Sequence, residues 1–275
     1  MRFKTAADFA ETSAIPSGAL AGILLCESAW HAMASARRLV RQGVDLLIVV
    51  GGELPEDPGC PLLTIAQPVT DANAPELLTT LIPKFAGRWV IWLWNGEFFV
   101  FPFGENREIG DLTDFLGDER RKGLYCYNFD LYAPDLPSPD QAPELFELNI
   151  DRVGYHAFPR DNQQLRVYGG LGWRFQELLP DRLRQIGRTS LFLARPGLRM
   201  GEEFFINDDE YASVSCPWHR NPTGAVMSLR RAKRIMAHPE FPQLRQRLLW
   251  DGTQSFDWTS AQLLDLGLIE PGQWF

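Results

Sequence analysis

The chain has 275 residues, a formal net charge of −8, and 45% hydrophobic and 23% charged residues. It is long enough to bury a full core as one large domain or two small ones, and its acidic balance argues against a protein that lives on nucleic acid. No stretch reaches the ~20 apolar residues of a membrane span. Residues 1–17 are polar and mixed in charge, unlike a secretory signal, so a cytoplasmic protein is expected. The four cysteines, Cys26, Cys60, Cys126 and Cys216, form no CxxC pair and show no zinc-like spacing. Cys26 and Cys126 lie in apolar segments and read as small buried hydrophobes of a reducing compartment.

The first half alternates between strand and helix signals. Residues 19–26 are a short apolar run, typical of a strand buried on both faces. Residues 27–42 carry helical spacing (Trp30, Met33, Ala34, Leu39, Val40), with Gly43 at a C′ position. Residues 44–50 predict a second buried strand ending in Gly51-Gly52, residues 61–65 a weaker third, and residues 74–85 a helix. Residues 89–94, Trp-Val-Ile-Trp-Leu-Trp, give the strongest strand signal. Strand–helix–strand units with short connections imply right-handed crossovers and a parallel sheet.

At Trp94-Asn95-Gly96-Glu97 this strand breaks for polar residues, and residues 98–101 then extend it. Such a break brings polar groups to the edge of a sheet, where chemistry happens. Residues 109–116 predict a helix, and residues 124–131 a strand with alternating Tyr125, Tyr127 and Phe129. Residues 134–143 contain four prolines and predict a surface loop. Residues 162–172 form a glycine-rich segment flanked by Arg166, Trp173 and Arg174. Residues 189–194 predict a short strand. Helices are predicted over residues 223–237, 241–250 and 260–268. One α/β domain spans residues 1–275, with an α/β half over residues 18–132 and an irregular half over residues 133–275.

Gly169-Gly170-x-Gly172 does not open a helix after a strand of a βαβ unit, so it reads as a tight turn rather than a phosphate cradle. Glu27 directly follows the first strand. It either accepts hydrogen bonds from a base or ribose at the carboxyl end of the sheet, or sits as a helix N-terminal carboxylate favoured by the macrodipole. Asn207-Asp208-Asp209-Glu210, near Cys216-Pro217-Trp218-His219, is either a cation-binding acidic group or a solvated loop. His31, His156 and His238 have no spaced partners. There is no GxSxG motif and no Cys/His dyad for covalent hydrolysis.

Together these segments resemble the glycosyltransferase family 2-like group with a GT-A fold, whose core reads roughly W-x-x-x-x-D-x-D-E-F-hydrophobic-x-P. The matching text is Trp89-Val90-Ile91-Trp92-Leu93-Trp94-Asn95-Gly96-Glu97-Phe98-Phe99-Val100-Phe101-Pro102. Further blocks follow in order. Leu24-Leu25-Cys26-Glu27 with Gly43-Val44-Asp45 resembles the family's N-E … G-V-D opening. Asn128-Phe129-Asp130-Leu131-Tyr132 resembles the strand after the metal motif, and Tyr168-Gly169-Gly170 the glycine pair. Thr223-Gly224-Ala225-Val226-Met227-Ser228 resembles T-G-A-x-x-H, and Gln262-Leu263 through Gly267-Leu268 the closing helix. The resemblance spans about residues 20–268.

The resemblance implies a mostly parallel, GT-A-like sheet flanked by helices. It also implies transfer of a sugar from a nucleotide-sugar donor to a glycan or other acceptor. In such proteins a D-x-D pair holds a divalent ion that neutralises the departing diphosphate. Here the two aspartates align with Trp94 and Gly96, and the histidine with Ser228, so neither Mn²⁺ nor Mg²⁺ is expected and no firm cofactor is assigned. The resemblance gives Glu97 and Asp130 as catalytic residues. It gives Glu27, Trp94, Asn95, Gly96, Arg166, Arg174 and Ser228 as nucleotide-sugar-binding ones. Three readings stay open. One is an active transferase using Arg166, Arg174, Arg195, Arg230 or Arg231 in place of a metal. The second is a non-catalytic member binding a nucleotide, a glycan or a partner protein, and the third a structural subunit paired with an active paralogue. Exposed Trp94, Trp173 or Trp218 would suit glycan stacking; buried ones would be core.

Overall fold

Apolar runs separated by amphipathic helices build a large, mostly parallel sheet with helices on both faces. The structure is a computed structural model describing residues 1–12, 15–135, 138–159, 165–211 and 221–274. In the first half, the strands are β1 (Arg2–Phe3), β2 (Leu20–Leu25), β3 (Leu46–Val50), β4 (Leu62–Ile65), β5 (Trp89–Trp94), β6 (Glu97–Val100) and β7 (Gly123–Asp130). The helices there are α1 (Ala6–Glu11), α2 (Ala32–Arg41), α3 (Ala74–Leu81) and α4 (Ile109–Asp118). The second half adds β8 (Asn149–Asp151), β9 (His156–Pro159), β10 (Leu165–Tyr168), β11 (Gly187–Leu193), β12 (Gly224–Ser228) and β13 (Thr253–Ser255). Its helices are α5 (Gly170–Arg174), α6 (Arg230–Ala237), α7 (Phe241–Leu244) and α8 (Ser260–Asp265).

The nine-stranded sheet has the order β1-β4-β3-β2-β5-β11-β7-β12-β6. From β1 to β5 every neighbour is parallel. β11 enters antiparallel between β5 and β7, and β12 runs parallel to β7 and antiparallel to β6. Two small ribbons, β9–β10 and β8–β13, lie outside this sheet.

Covering both faces explains the unbroken apolar runs. Successive residues of β2 alternate between two cores. Ala21, Ile23 and Leu25 pack with Phe9 of α1 and Leu77, Leu78 and Leu81 of α3. Leu20 and Leu24 pack with Ala36 and Leu39 of α2 and with Ile109, Leu112 and Leu116 of α4. A third core joins β7 and β12 to α5, α6, α7 and α8 through Phe129, Met227, Leu171, Ile235 and Leu263. Among the described residues no helix is long and apolar enough to cross a membrane.

Several sequence expectations are corrected. Residues 223–237 are not one helix: Gly224–Ser228 is a fully buried strand, and only Leu229 separates it from α6. Residues 98–101 do not prolong β5. Gly96 turns the chain at φ +73°, and β6 pairs instead at the far edge of the sheet, beside β12. Within residues 27–42 the helix begins only at Ala32, after His31 at φ +48°. Gly170 does follow a strand and open a short helix, although β10 pairs only with β9 and not within a βαβ unit. Residues 241–250 yield a four-residue helix and a 3₁₀ turn rather than a continuous helix.

Phe99 is fully buried and its ring stacks on Phe101 with centroids 5.3 Å apart. Phe99→Ala is expected to lower stability by about 3–5 kcal/mol in chemical denaturation, through lost transfer energy and an unfilled cavity.

Candidate functional site

Strand order reverses between β2 and β5: the chain leaves β2 toward β3 on one side, and β5 lies on the other. In an open α/β sheet the crevice at the carboxyl ends of two such strands is the place where ligands bind. Asn95, just past β5, builds the floor of that crevice. Its Oδ1 accepts the Glu27 backbone N–H at 3.0 Å, while its Nδ2 donates to Ser28 Oγ at 3.0 Å and to the Trp30 carbonyl at 2.9 Å. One buried amide thus fixes the loop that carries Glu27. The Gly96 N–H donates to Ser35 Oγ, and its carbonyl accepts the Leu229 N–H, which ties the same turn to the start of α6.

Helical spacing then delivers the cations. Arg230 and Arg234 are four residues apart and share one face of α6. Arg230 makes a two-pronged pair with Glu27, Nε–Oε1 3.1 Å and Nη2–Oε2 2.8 Å, and reaches Asp71 Oδ1 at 2.9 Å. Arg234 pairs with Asp71 and contacts Glu27 Oε2 at 3.3 Å. The Arg230 guanidinium lies 3.7 Å from the Trp94 ring centroid. Burial pushes the Glu27 carboxyl up, but the hydrogen bond and charge of Arg230, with Arg234, pull it below its ordinary value. Asp71 is shifted the same way: burial raises it and the two arginines outweigh that.

Glu97 and Asp130 are placed differently. Glu97 is fully buried, and both its oxygens are occupied. Oε1 accepts Arg188 Nη1 at 3.1 Å and Ser228 Oγ at 3.1 Å; Oε2 accepts Arg188 Nη2 at 2.7 Å and the Trp94 N–H at 2.9 Å. Asp130 Oδ1 meets Arg231 Nη1 at 3.0 Å, and its Oδ2 accepts the Leu171 N–H at 2.8 Å. Burial pushes the Asp130 carboxyl above its ordinary value against the pull of Arg231. Arg231 also donates to the Leu183, Asn128 and Gln185 carbonyls. Four arginines therefore converge on this end of the sheet, each paired with a carboxylate.

A small recess of about 40 Å³ is lined by Trp94, Asn128, Ser228, Arg230 and Arg231. Trp94 Nε1 and Asn128 Oδ1, a donor and an acceptor, are buried there without a partner among the described residues. Beside it opens a cavity of about 670 Å³ lined by Asp71, Arg166, Tyr168 and Glu202. Gln185 and Glu203 border both. Such a volume is in the range of small-molecule sites.

No family model matches the chain. No curated protein matches it significantly either.

Of the residues expected at a site, Glu27, Trp94, Asn95, Gly96 and Ser228 gather at this crevice, and Arg166 borders the larger cavity, paired with Glu203 at 2.8 Å. Arg174 belongs elsewhere, on Asp151 beside a separate cavity. The macrodipole alternative for Glu27 fails because the first turn of α2 starts five residues later and contains no acid. Trp94 is fully buried, whereas Trp173 is 42% exposed. In the acidic group, Asp208 pairs with Arg195 and Glu210 with Lys122; Cys216, Trp218 and His219 lie outside the described residues. Sequence reading missed Arg188, Arg234 and Asp71. A signal existed for Arg234, one turn beyond Arg230, but not for Arg188, which sits among Gly187, Thr189 and Ser190.

The residues in the D-x-D and histidine positions do not fit a divalent ion. Trp94 and Gly96 present no side-chain oxygen, and Ser228 Oγ donates to Glu97. Among the described residues no group of three His, Cys, Asp or Glu is placed to hold a metal.

Two outcomes follow from this network. Arg188→Ala is expected to cost about 3–5 kcal/mol in equilibrium unfolding, because it strands a buried carboxylate. Arg188→Met combined with Glu97→Gln should recover part of that loss, since the neutral amide removes the buried charge and keeps an acceptor oxygen for the Trp94 N–H or Ser228 Oγ. The lowered Glu27 and Asp71 carboxyls contribute stability that is present above their unfolded pKa values and is lost as pH falls through the folded ones. Glu27→Gln should therefore flatten the acid limb of a stability–pH curve measured by urea unfolding.

Proposed function

We propose that the crevice at the ends of β2 and β5 binds a nucleotide-diphosphate sugar. In this reading the chain is a glycosyltransferase family 2-like protein of GT-A type that transfers the sugar without a D-x-D-bound metal. One observation carries the proposal. Arg230 and Arg234, with Glu27 and Asp71, sit at the switch point of the sheet beside a cavity of about 670 Å³. Glu27 suits the hydroxyls of a ribose or the N–H of a base, as a carboxylate at the carboxyl end of the first long strand. The guanidinium forks of Arg230 and Arg234 suit a diphosphate and would take up the charge that develops as it leaves. The ligand must displace their carboxylate partners to reach them.

A second reading, binding without transfer, is favoured by the state of Glu97 and Asp130. Each is held by an arginine, and Glu97 has a partner on both oxygens. A carboxylate so engaged must give up a partner before its oxygens can reach a substrate proton, which makes it a poor general base.

Calorimetric titration with UDP-, GDP- and CDP-sugars, with and without Mn²⁺, tests the proposal. Binding of one of them is expected, with no gain from Mn²⁺; a Mn²⁺-dependent gain of about tenfold would sink the metal-free reading. Arg234→Ala, which alters a partly exposed side chain, should weaken binding about tenfold. Donor hydrolysis alongside binding supports transfer, binding alone supports the second reading, and silence with all three donors overturns both.

A further inference from the structure

A separate cavity, of about 590 Å³, is lined by Asp151, Val153, His156, Trp173, Arg174 and Trp250 and shares no lining residue with the two described at the crevice. We infer that it is a binding site for a neutral saccharide, seated by a sugar face on Trp250 and Trp173.

The platform is exposed yet rigid. Trp250 is 39% and Trp173 42% exposed, and with Val153 they place three of the chain's few exposed large apolar side chains on one cavity. An exposed indole normally samples several rotamers, but Trp250 is held. Its Nε1 donates to Asp151 Oδ1 at 2.7 Å and its backbone N–H to Thr253 Oγ1 at 3.0 Å. Asp151 is itself buried and fixed by the Tyr132 hydroxyl at 2.6 Å and Arg174 Nε at 2.9 Å. The indole also lies over Gly252, where an added Cβ would come within 2.3 Å of it. The backbone therefore makes room for an indole that stays partly in solvent. His156 stands 5.5 Å from the Trp173 ring. A pre-set aromatic wall loses little entropy when a ligand stacks on it.

Charge and polarity select the ligand class. The two guanidiniums lining the cavity are both compensated: Arg174 by Asp151 and Arg247 by Glu177. Arg174 also gives Nη1 to the Arg247 and Leu248 carbonyls, and Arg247 donates to the Arg174 carbonyl, so these guanidiniums, unlike the carboxylate-held forks of the crevice, are not free to turn to a phosphate or a carboxylate. A purely apolar ligand would take the charged lining of Asp151, Arg174 and Arg247 out of water without adding a hydrogen bond. Arg174 Nη2 is buried without a partner among the described residues. A sugar ring offers the matching pair of features, an apolar C–H face and a rim of hydroxyls. Gly170 lines the cavity, an added Cβ there would lie 2.6 Å from Asp130 Oδ2, and Asp130 holds Arg231 of the recess.

Saturation-transfer NMR tests this with the tetraoses of the cello, malto, chito and xylo series, a decaproline peptide and UDP as competitor, all at millimolar concentration. At least one tetraose is expected to bind, with transfer concentrated on ring C–H protons and undiminished by UDP. Trp173→Ala, at a side chain with no hydrogen bond to lose, and Trp250→Ala should each weaken that binding about tenfold or more, with folding of both variants checked by circular dichroism. If Trp250→Ala does not fold, Trp173→Ala alone decides. The inference fails if no tetraose binds, if UDP displaces the sugar, if binding survives Trp173→Ala, or if only the decaproline peptide binds.

Discussion

Glu97, at the start of β6, binds Arg188 of β11, Ser228 of β12 and the backbone N–H of Trp94 at the end of β5. It is fully buried, and Arg188 is nearly so. Taking two charges out of water is costly, so the pair persists only with every remaining lone pair and proton met. Arg188 Nε meets Ser190 Oγ at 2.6 Å, and its guanidinium rests 4.3 Å from the Trp92 ring centroid. The strand register supplies these partners: Ser228 lies opposite Glu97 in the β12–β6 pairing. One carboxylate thereby joins the parallel half of the sheet to its mixed half and fixes where β5 stops. The Asn95-Gly96 turn, and with it the loop bearing Glu27, depends on that stop.

The crevice is accordingly rich in charge and nearly neutral in sum. Glu27 and Asp71 occupy the guanidiniums of Arg230 and Arg234 that a diphosphate would need. A phosphate ligand entering here exchanges one anion for another rather than meeting bare cations, so its affinity rests on geometry more than on net charge. A divalent ion entering the same place would face two arginines that already balance the carboxylates. The proposal of a metal-independent donor site follows from that arrangement, and Trp94 reinforces it. Its indole is a cation-binding surface under Arg230.

The parallel half of the sheet was legible because buried parallel strands are continuous apolar runs: Leu20–Leu25, Leu46–Val50 and Trp89–Trp94 all stand where their β-branched and aromatic residues indicate. β12 was not legible, because five apolar and small residues run into α6 with no turn residue between them. The short strands β1, β8, β9, β10 and β13 also escaped, as their pairing is decided by distant chain. Within the site, Glu27 and the Asn95-Gly96 turn could be placed from their position after strands. The partners could not. Asp71 sits in a loop with no local signal, and the Glu97–Arg188 pair spans 91 residues of sequence. Half of a signal was nonetheless present: Glu97 is a lone carboxylate between apolar runs, and a buried charge requires an opposite one.

Trp94 and Trp250 carry the same side chain and opposite consequences. Trp94 is sealed under an arginine, with its Nε1 left without a partner among the described residues, beside Asn128. Trp250 gives its Nε1 to a buried carboxylate and keeps its ring partly in water. The first arrangement rewards a ligand that brings hydrogen-bonding atoms into a dry, charged recess; the second rewards one that brings an apolar face to a fixed wall. Gly170 lines the second cavity, and its neighbour Asp130 holds Arg231 at the first. At Gly170, φ is +60° and an added Cβ would lie 2.6 Å from the Asp130 carboxylate, so any side chain there would strain the backbone and press on the ion pair. The glycine therefore lets Asp130 hold Arg231 at the crevice while Gly170 itself lines the aromatic cavity.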